Sequence, residues 1–190
     1  MKSVLISIQP KYVELIAKGK KTIEVRKTRP KIETPFKCYI YKTKKRILRD
    51  ITRKGEEDYF GIVADKTIVC ACPDFDGGKV IGEFVCDWIG TYLYDQEFDE
   101  SMGFYLNNFG YDITSHELGQ TCLSYKEFEK YGNTNMLYGW YISKLKIYDK
   151  PKELSEFKTV KLTERQIGFN RYETKSITRP PQSWCYVEKN

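Results

Sequence analysis

The chain has a single histidine, His116. That excludes two-histidine acid–base chemistry and any metal site built on several imidazoles. Its six cysteines (Cys38, Cys70, Cys72, Cys86, Cys122, Cys185) contain no C-x-x-C pair, and the one close pair, Cys70-Ala71-Cys72, lacks zinc-site spacing. No secretory leader precedes them, so reduced thiols are expected rather than disulfides, with no metal or other cofactor. Also missing is any apolar run near the roughly 20 residues needed to span a bilayer. Met1 to Ile8 is short and alternating, unlike a signal peptide; it reads as a strand of a cytoplasmic protein. No repeat or low-complexity tract is visible. Acid is scarce in one region: between Lys18 and Lys54, fifteen Lys or Arg face only Glu24, Glu33 and Asp50. That segment carries a formal +12 and leaves −6 for the remainder of a chain whose total is +6. Such asymmetry suits a polyanionic partner, although a solvated basic face has the same composition.

What is present describes a soluble globular protein with enough chain for one buried core: 190 residues, 41% hydrophobic and 31% charged. Residues 1–190 are expected to form a single domain. Val4 to Gln9 alternates as a strand, and Pro10 opens a helix that ends at Gly19. A second strand covers Thr22 to Arg26, and Lys27 to Pro35 reads as a loop. Phe36 to Thr43 is rich in strand formers. Residues 44–72 read as an insertion, basic then acidic, with a strand somewhere in Ile62 to Cys72 and a turn over Pro73 to Gly78. Lys79 to Leu93 carries the strongest strand signal, with Gly82 at a bulge. Residues 95–119 read as a helical insertion with irregular ends. Ser124 caps a further helix, and Glu127 completes a capping box. Leu137 to Tyr148 resumes as strand. Residues 152–190 form an extension packing back on the body: a polar connection to Pro181, then a closing strand over Ser183 to Val187. The class is α+β: mixed strands flanked by short helices, with a small barrel as the natural way to remove exposed edges.

The most informative run is Ala17 to Arg26. Ile23 and Val25 alternate with Thr22, Glu24 and Arg26, so the apolar pair points one way and the polar trio the other. Glu24 and Arg26 then stand on one strand face, roughly 7 Å apart along the backbone, with Lys21 at the turn beside them. A carboxylate flanked by two cations is either a ligand site or an ion-pair set.

The pattern G-x-K-x-x-E-x-R (Gly19, Lys21, Glu24, Arg26) resembles the motif of the ASCH-domain family of PUA-like β-barrels. Ser7-Ile8-Gln9-Pro10, Gly78 to Phe84, Leu137 to Ile142 with Tyr148 to Pro151, and Pro180 to Trp184 are similar to its longer, phage-associated members. The resemblance implies a barrel with a cleft beside the first helix, suited to RNA or a nucleotide. Lys21 and Arg26 would hold phosphate, and Glu24 would accept hydrogen bonds from an amine or sugar hydroxyl. Tyr41, Trp140 and Trp184 are the stacking candidates, although aromatics in so small a barrel also serve as packing. Some relatives are metal-independent hydrolases, either ribonucleases or amidohydrolases that deacetylate N4-acetylcytidine. In the latter a threonine nucleophile occupies the position of Glu24, assisted by the motif lysine and a remote glutamate. Here Lys21 is kept, Glu24 replaces the nucleophile, Thr22 lies two residues away, and Glu117 is nearest in order to the remote acid. Lys21 and Glu24 are therefore the catalytic candidates of the enzyme reading, with Glu24 as a base toward water.

Overall fold

The computed structural model describes residues 2–44, 77–94, 104–106, 111–133, 136–166 and 169–188. The strand expected in Ile62 to Cys72 and most of the insertion expected over 44–72 lie outside the described residues. The elements are β1 (Lys2–Ile8), α1 (Pro10–Ala17), β2 (Ile23–Arg26), β3 (Phe36–Lys42), β4 (Lys79–Tyr94), β5 (Phe104–Leu106) and β6 (Tyr111–Asp112). There follow α2 (Ser115–Thr121), α3 (Tyr125–Gly132), β7 (Leu137–Lys152), a 3₁₀ turn at Leu154–Glu156, β8 (Lys158–Gln166), β9 (Phe169–Ser176) and β10 (Trp184–Glu188).

These strands make one mixed sheet whose main path runs β2-β7-β4-β3-β1-β10-β8-β9, with β5 on β4 and β6 on β5. Among the described residues only the β1–β3 pairing is parallel; the closing strand lies antiparallel to β1, Lys2 opposite Glu188. β1 sits mid-sheet and is buried on both faces. Val4, Ile6 and Ile8 join one core with Phe36, Phe84 and Trp140, while Leu5 joins Tyr39, Phe157 and Val187 on the other side.

The sheet curls without closing, which corrects the closed barrel expected from sequence. β2 and β1 are four steps apart along the sheet, yet the Arg26 guanidinium donates to the Ser7 carbonyl at 2.6 Å. No ladder joins β2 to β1. α1 follows β1 directly and buries Val13 and Ile16 in the first core.

Two long strands, β4 and β7, form the spine of the sheet. Their register shifts between Val80 and Gly82, where the bulge was expected. A Cβ on Gly82 would stand 2.6 Å from the Lys146 carbonyl oxygen, so the close strand approach excludes a side chain. The stretch expected as a polar connection over 152–181 instead contains the β8–β9 hairpin. Exposed strands bury little, so their alternation is written in polar residues and resembles a loop. Of the helical insertion expected over 95–119, residues 95–103 and 107–110 lie outside the described residues; the described part holds β5, β6 and most of α2.

Candidate functional site

α1 ends with Gly19 in the left-handed region, φ +68°, and the Lys20 and Lys21 amides donate back to the Leu15 carbonyl. This tight stop turns the chain directly into β2 and carries the Lys21 side chain inward. The alternation of β2 then places Glu24 and Arg26 on one face, as the sequence implied. Glu24 Oε1 meets Arg26 at 2.9 Å, and Glu24 Oε2 lies 3.4 Å from Lys21 Nζ.

All three are buried, at 3%, 5% and 8% exposure for Lys21, Glu24 and Arg26. Their donors are largely committed within the protein. Lys21 donates to the Ile23 and Thr121 carbonyls, tying β2 to the end of α2. Arg26 donates to Ser7 and, at 3.4 Å, to the Ser183 hydroxyl. Two atoms are left over: Glu24 Oε2 and Arg26 Nε are buried without a hydrogen bond. The carboxylate thus has spare acceptor capacity where its cations have little spare donor capacity.

These residues floor a cleft of about 1080 Å³ at the gap between β1 and β2. Its lining includes Ser7, Gln9, Pro10 and Tyr12 from the β1–α1 segment and Leu123, Glu127, Lys130 and Tyr131 of α3 and the turn before it. Thr43, Lys44 and Gln182 stand at the ends. Four cations face two carboxylates, so the cleft is net basic. Tyr12 lies under both Lys11 and Lys21, 4.6 and 5.1 Å from its ring centre. Burial pushes the Tyr131 phenol upward, Arg26 opposing and Glu24 adding, so this hydroxyl stays neutral at pH 7.

The structure brings together Lys21, Glu24 and Arg26 but none of the three stacking candidates. Trp140 is fully buried, with Phe36 at 5.8 Å and Trp184 at 6.0 Å between ring centres. Tyr41 is buried in the second core, and Trp184 packs on the first. The aromatic walls are Tyr12 and Tyr131 instead. Glu117 does not line the cleft: it caps Thr114 and accepts from Tyr141 at 3.3 Å. The second acid there is Glu127, whose one oxygen caps Ser124 while the other lies 3.7 Å from Lys11. The Thr22 hydroxyl is buried without a partner and is not part of the lining. In sequence Glu127, Lys130 and Tyr131 read only as a capped helix; their place in the cleft comes from how α3 docks. Among the described residues no group of His, Cys, Asp and Glu is arranged to hold a metal, and no helix is long and apolar enough to cross a membrane.

The fold and site define a curled mixed-sheet domain with a basic cleft over a buried carboxylate. The family model of the ASCH domain matches residues 6–158, and the chain belongs to the ASCH domain family. The PUA-like placement fits the same architecture. Similar solved structures include the ASCH protein from Zymomonas mobilis, at 19% identity and a TM-score of 0.54, covering 98% of this chain and 88% of that one. A tyrosine-to-phenylalanine variant of that protein matches at 19% identity and 0.53, covering 100% and 92%. At this identity the likeness is one of fold. No curated protein sequence matches the chain.

Proposed function

We propose that the cleft binds a nucleotide unit of RNA. The observation that carries this reading is Glu24: a buried carboxylate whose Oε2 is ion-paired with Lys21 at 3.4 Å but accepts no hydrogen bond, in the lining of a nucleotide-sized, net basic cleft. A buried acceptor without a hydrogen bond costs about 1–3 kcal/mol, a cost that a ligand N–H or O–H placed against it removes. A base amine or ribose hydroxyl supplies such a donor. Tyr12 and Tyr131 offer rings for the base, and Lys44 and Lys130 at the rim are placed for phosphate. Lys21 and Arg26 then act chiefly by fixing the position of the Glu24 carboxylate, rather than by gripping phosphate as the motif alone suggested.

Titration of a short single-stranded RNA against the protein tests this. Affinity should fall with salt at a log–log slope of about −0.7 per phosphate contact. Lys130→Glu should weaken binding at least tenfold. Absence of binding at low salt, or binding indifferent to salt, rejects the reading.

A hydrolase reading has one specific support: Glu24 lines the cleft, and its Oε2 accepts no hydrogen bond and stands 3.4 Å from the Lys21 ammonium. Glu24 would serve as the general base and Arg26 Nε as a donor to the developing oxyanion on an amide or phosphodiester. Incubation with N4-acetylcytidine and with single-stranded RNA decides it. Turnover lost in Glu24→Gln supports the enzyme; intact substrates after long incubation at high protein concentration reject it.

A further inference from the structure

Beyond the cleft, a row of cations mounted on tyrosine rings leads away along the loop after β2. Lys27, Thr28, Arg29 and Lys31 are exposed, and Pro30 is buried. The Lys27 ammonium lies 5.2 Å from the ring centre of Tyr131, the cleft wall. Arg29 lies 5.8 Å from that of Tyr138. The Lys31 amide donates to the Tyr186 hydroxyl at 2.7 Å. Lys2 continues the row, 5.6 Å from the Tyr186 ring centre and 4.5 Å from that of Tyr172, which is 46% exposed.

Three properties distinguish this row from an ordinary solvated basic face. None of the four cations is in an ion pair with a carboxylate among the described residues. The loop is fixed in place: Trp184 Nε1 donates to Thr28 Oγ1 at 3.0 Å, one residue from Lys27 and Arg29, and Tyr186 holds Lys31. Finally, the row starts on Tyr131, so it is continuous with the cleft. Unpaired charges on a fixed loop interact with a polyanion at little ordering cost. Tyr131 and Tyr172, 37% and 46% exposed, are the rings of the row that offer surface to an unpaired base.

We propose that this row is a track for single-stranded RNA, so that the ligand of the cleft is one nucleotide of a polynucleotide whose neighbours lie along Lys27, Arg29, Lys31 and Lys2. The proposal rests on the cleft holding a nucleotide. It predicts that affinity grows with oligonucleotide length, because each added phosphate meets another cation.

The test is anisotropy of the full chain with labelled oligoribonucleotides of three and twelve residues, with a nucleoside monophosphate as competitor. The charge-reversed triple variant Lys2→Glu/Arg29→Glu/Lys31→Glu, checked for folding by circular dichroism, is measured alongside. The 12-mer should bind at least tenfold more tightly than the 3-mer. The triple variant should erase that advantage and lower the salt slope by about 2, three contacts at roughly 0.7 each. Competition by the monophosphate should be unchanged in it. Equal affinity for the two lengths, or a triple variant with an unchanged slope, overturns the track. Equal loss of binding to vesicles containing anionic lipid, with RNA binding intact, reassigns the row to a membrane surface and also overturns it. Failure of the cleft reading looks different: the monophosphate does not compete in any variant, and Glu24→Gln changes nothing.

Discussion

Burying Lys21, Glu24 and Arg26 together changes what each substitution costs. Exposed ion pairs contribute about 0–1 kcal/mol, whereas removing one member of a buried set leaves an uncompensated charge and costs about 3–5 kcal/mol. Lys21→Ala is therefore expected to destabilise the protein by about 3–5 kcal/mol. Urea denaturation checks this, and a loss under about 1 kcal/mol would place Lys21 in solvent instead. It follows that lost binding in Lys21→Ala reports on folding as much as on ligand. Lys130 is the cleaner probe because it is exposed. A second carboxylate sets a pH dependence away from the cleft. Burial alone would raise the Glu83 carboxyl, but hydrogen bonds from Tyr148 at 2.6 Å and Lys37 at 2.9 Å outweigh it and hold it below the usual 4.5. The unfolded chain thus takes up this proton first as pH falls. The stabilisation is complete above pH 4.5 and is lost as pH drops through the lower folded value. Tyr148→Phe removes one of the bonds, so its stability should fall less steeply below pH 4.5 in denaturant titrations across pH.

At the scale of elements, capping and close approach decide what can change. Ser124 accepts from the Glu127 amide, and Glu127 returns a bond to the Ser124 amide, so both ends of the box hold α3. Ser124→Ala should cost about 1 kcal/mol, seen as a lower Tm, and should weaken ligand binding because α3 carries Lys130 and Tyr131 into the cleft. Gly82→Ala should cost about 1–3 kcal/mol, because its Cβ would meet backbone rather than a side chain that can move. Both features were legible in sequence: the S-x-x-E spacing and a glycine inside a strand pattern are local signals. The β8–β9 hairpin was not. In sequence Lys158 to Gln166 has only Val160 and Leu162 among polar residues, and its partner strand β9 is a feature of the fold rather than of that pattern. The stacking residues were misplaced for a related reason. Composition says that Trp140 and Tyr41 are aromatic; only the curl of the sheet says which rings fill the core.

For the molecule as a whole, the open seam between β1 and β2 is both the structural weak point and the place of the cleft. Arg26 spans it, with Ser7 and Ser183 on the far side. Arg26→Met should loosen β2 selectively. Hydrogen exchange should rise at the Ile23 to Arg26 amides while the paired core of β4 and β7 stays protected. Equal exchange in all three strands would mean that the seam carries no local stability. A closed barrel would have no such gap and no room for a ligand there, so the correction to the fold is also what makes the site possible.

The G-x-K-x-x-E-x-R run, the capped helices and the outer strand pairing follow from the sequence, because they depend on spacing within a few residues or on strong apolar alternation. The run also determined that Glu24 and Arg26 share a face. Tertiary structure alone decided that these charges are buried, that Lys21 is spent on the carbonyls of Ile23 and Thr121, and that one Glu24 oxygen accepts no hydrogen bond. It also placed Tyr12 and Tyr131 in the lining of the cleft. The physical reason is that hydrogen-bond saturation is a sum over partners from distant parts of the chain, and no local pattern encodes that sum.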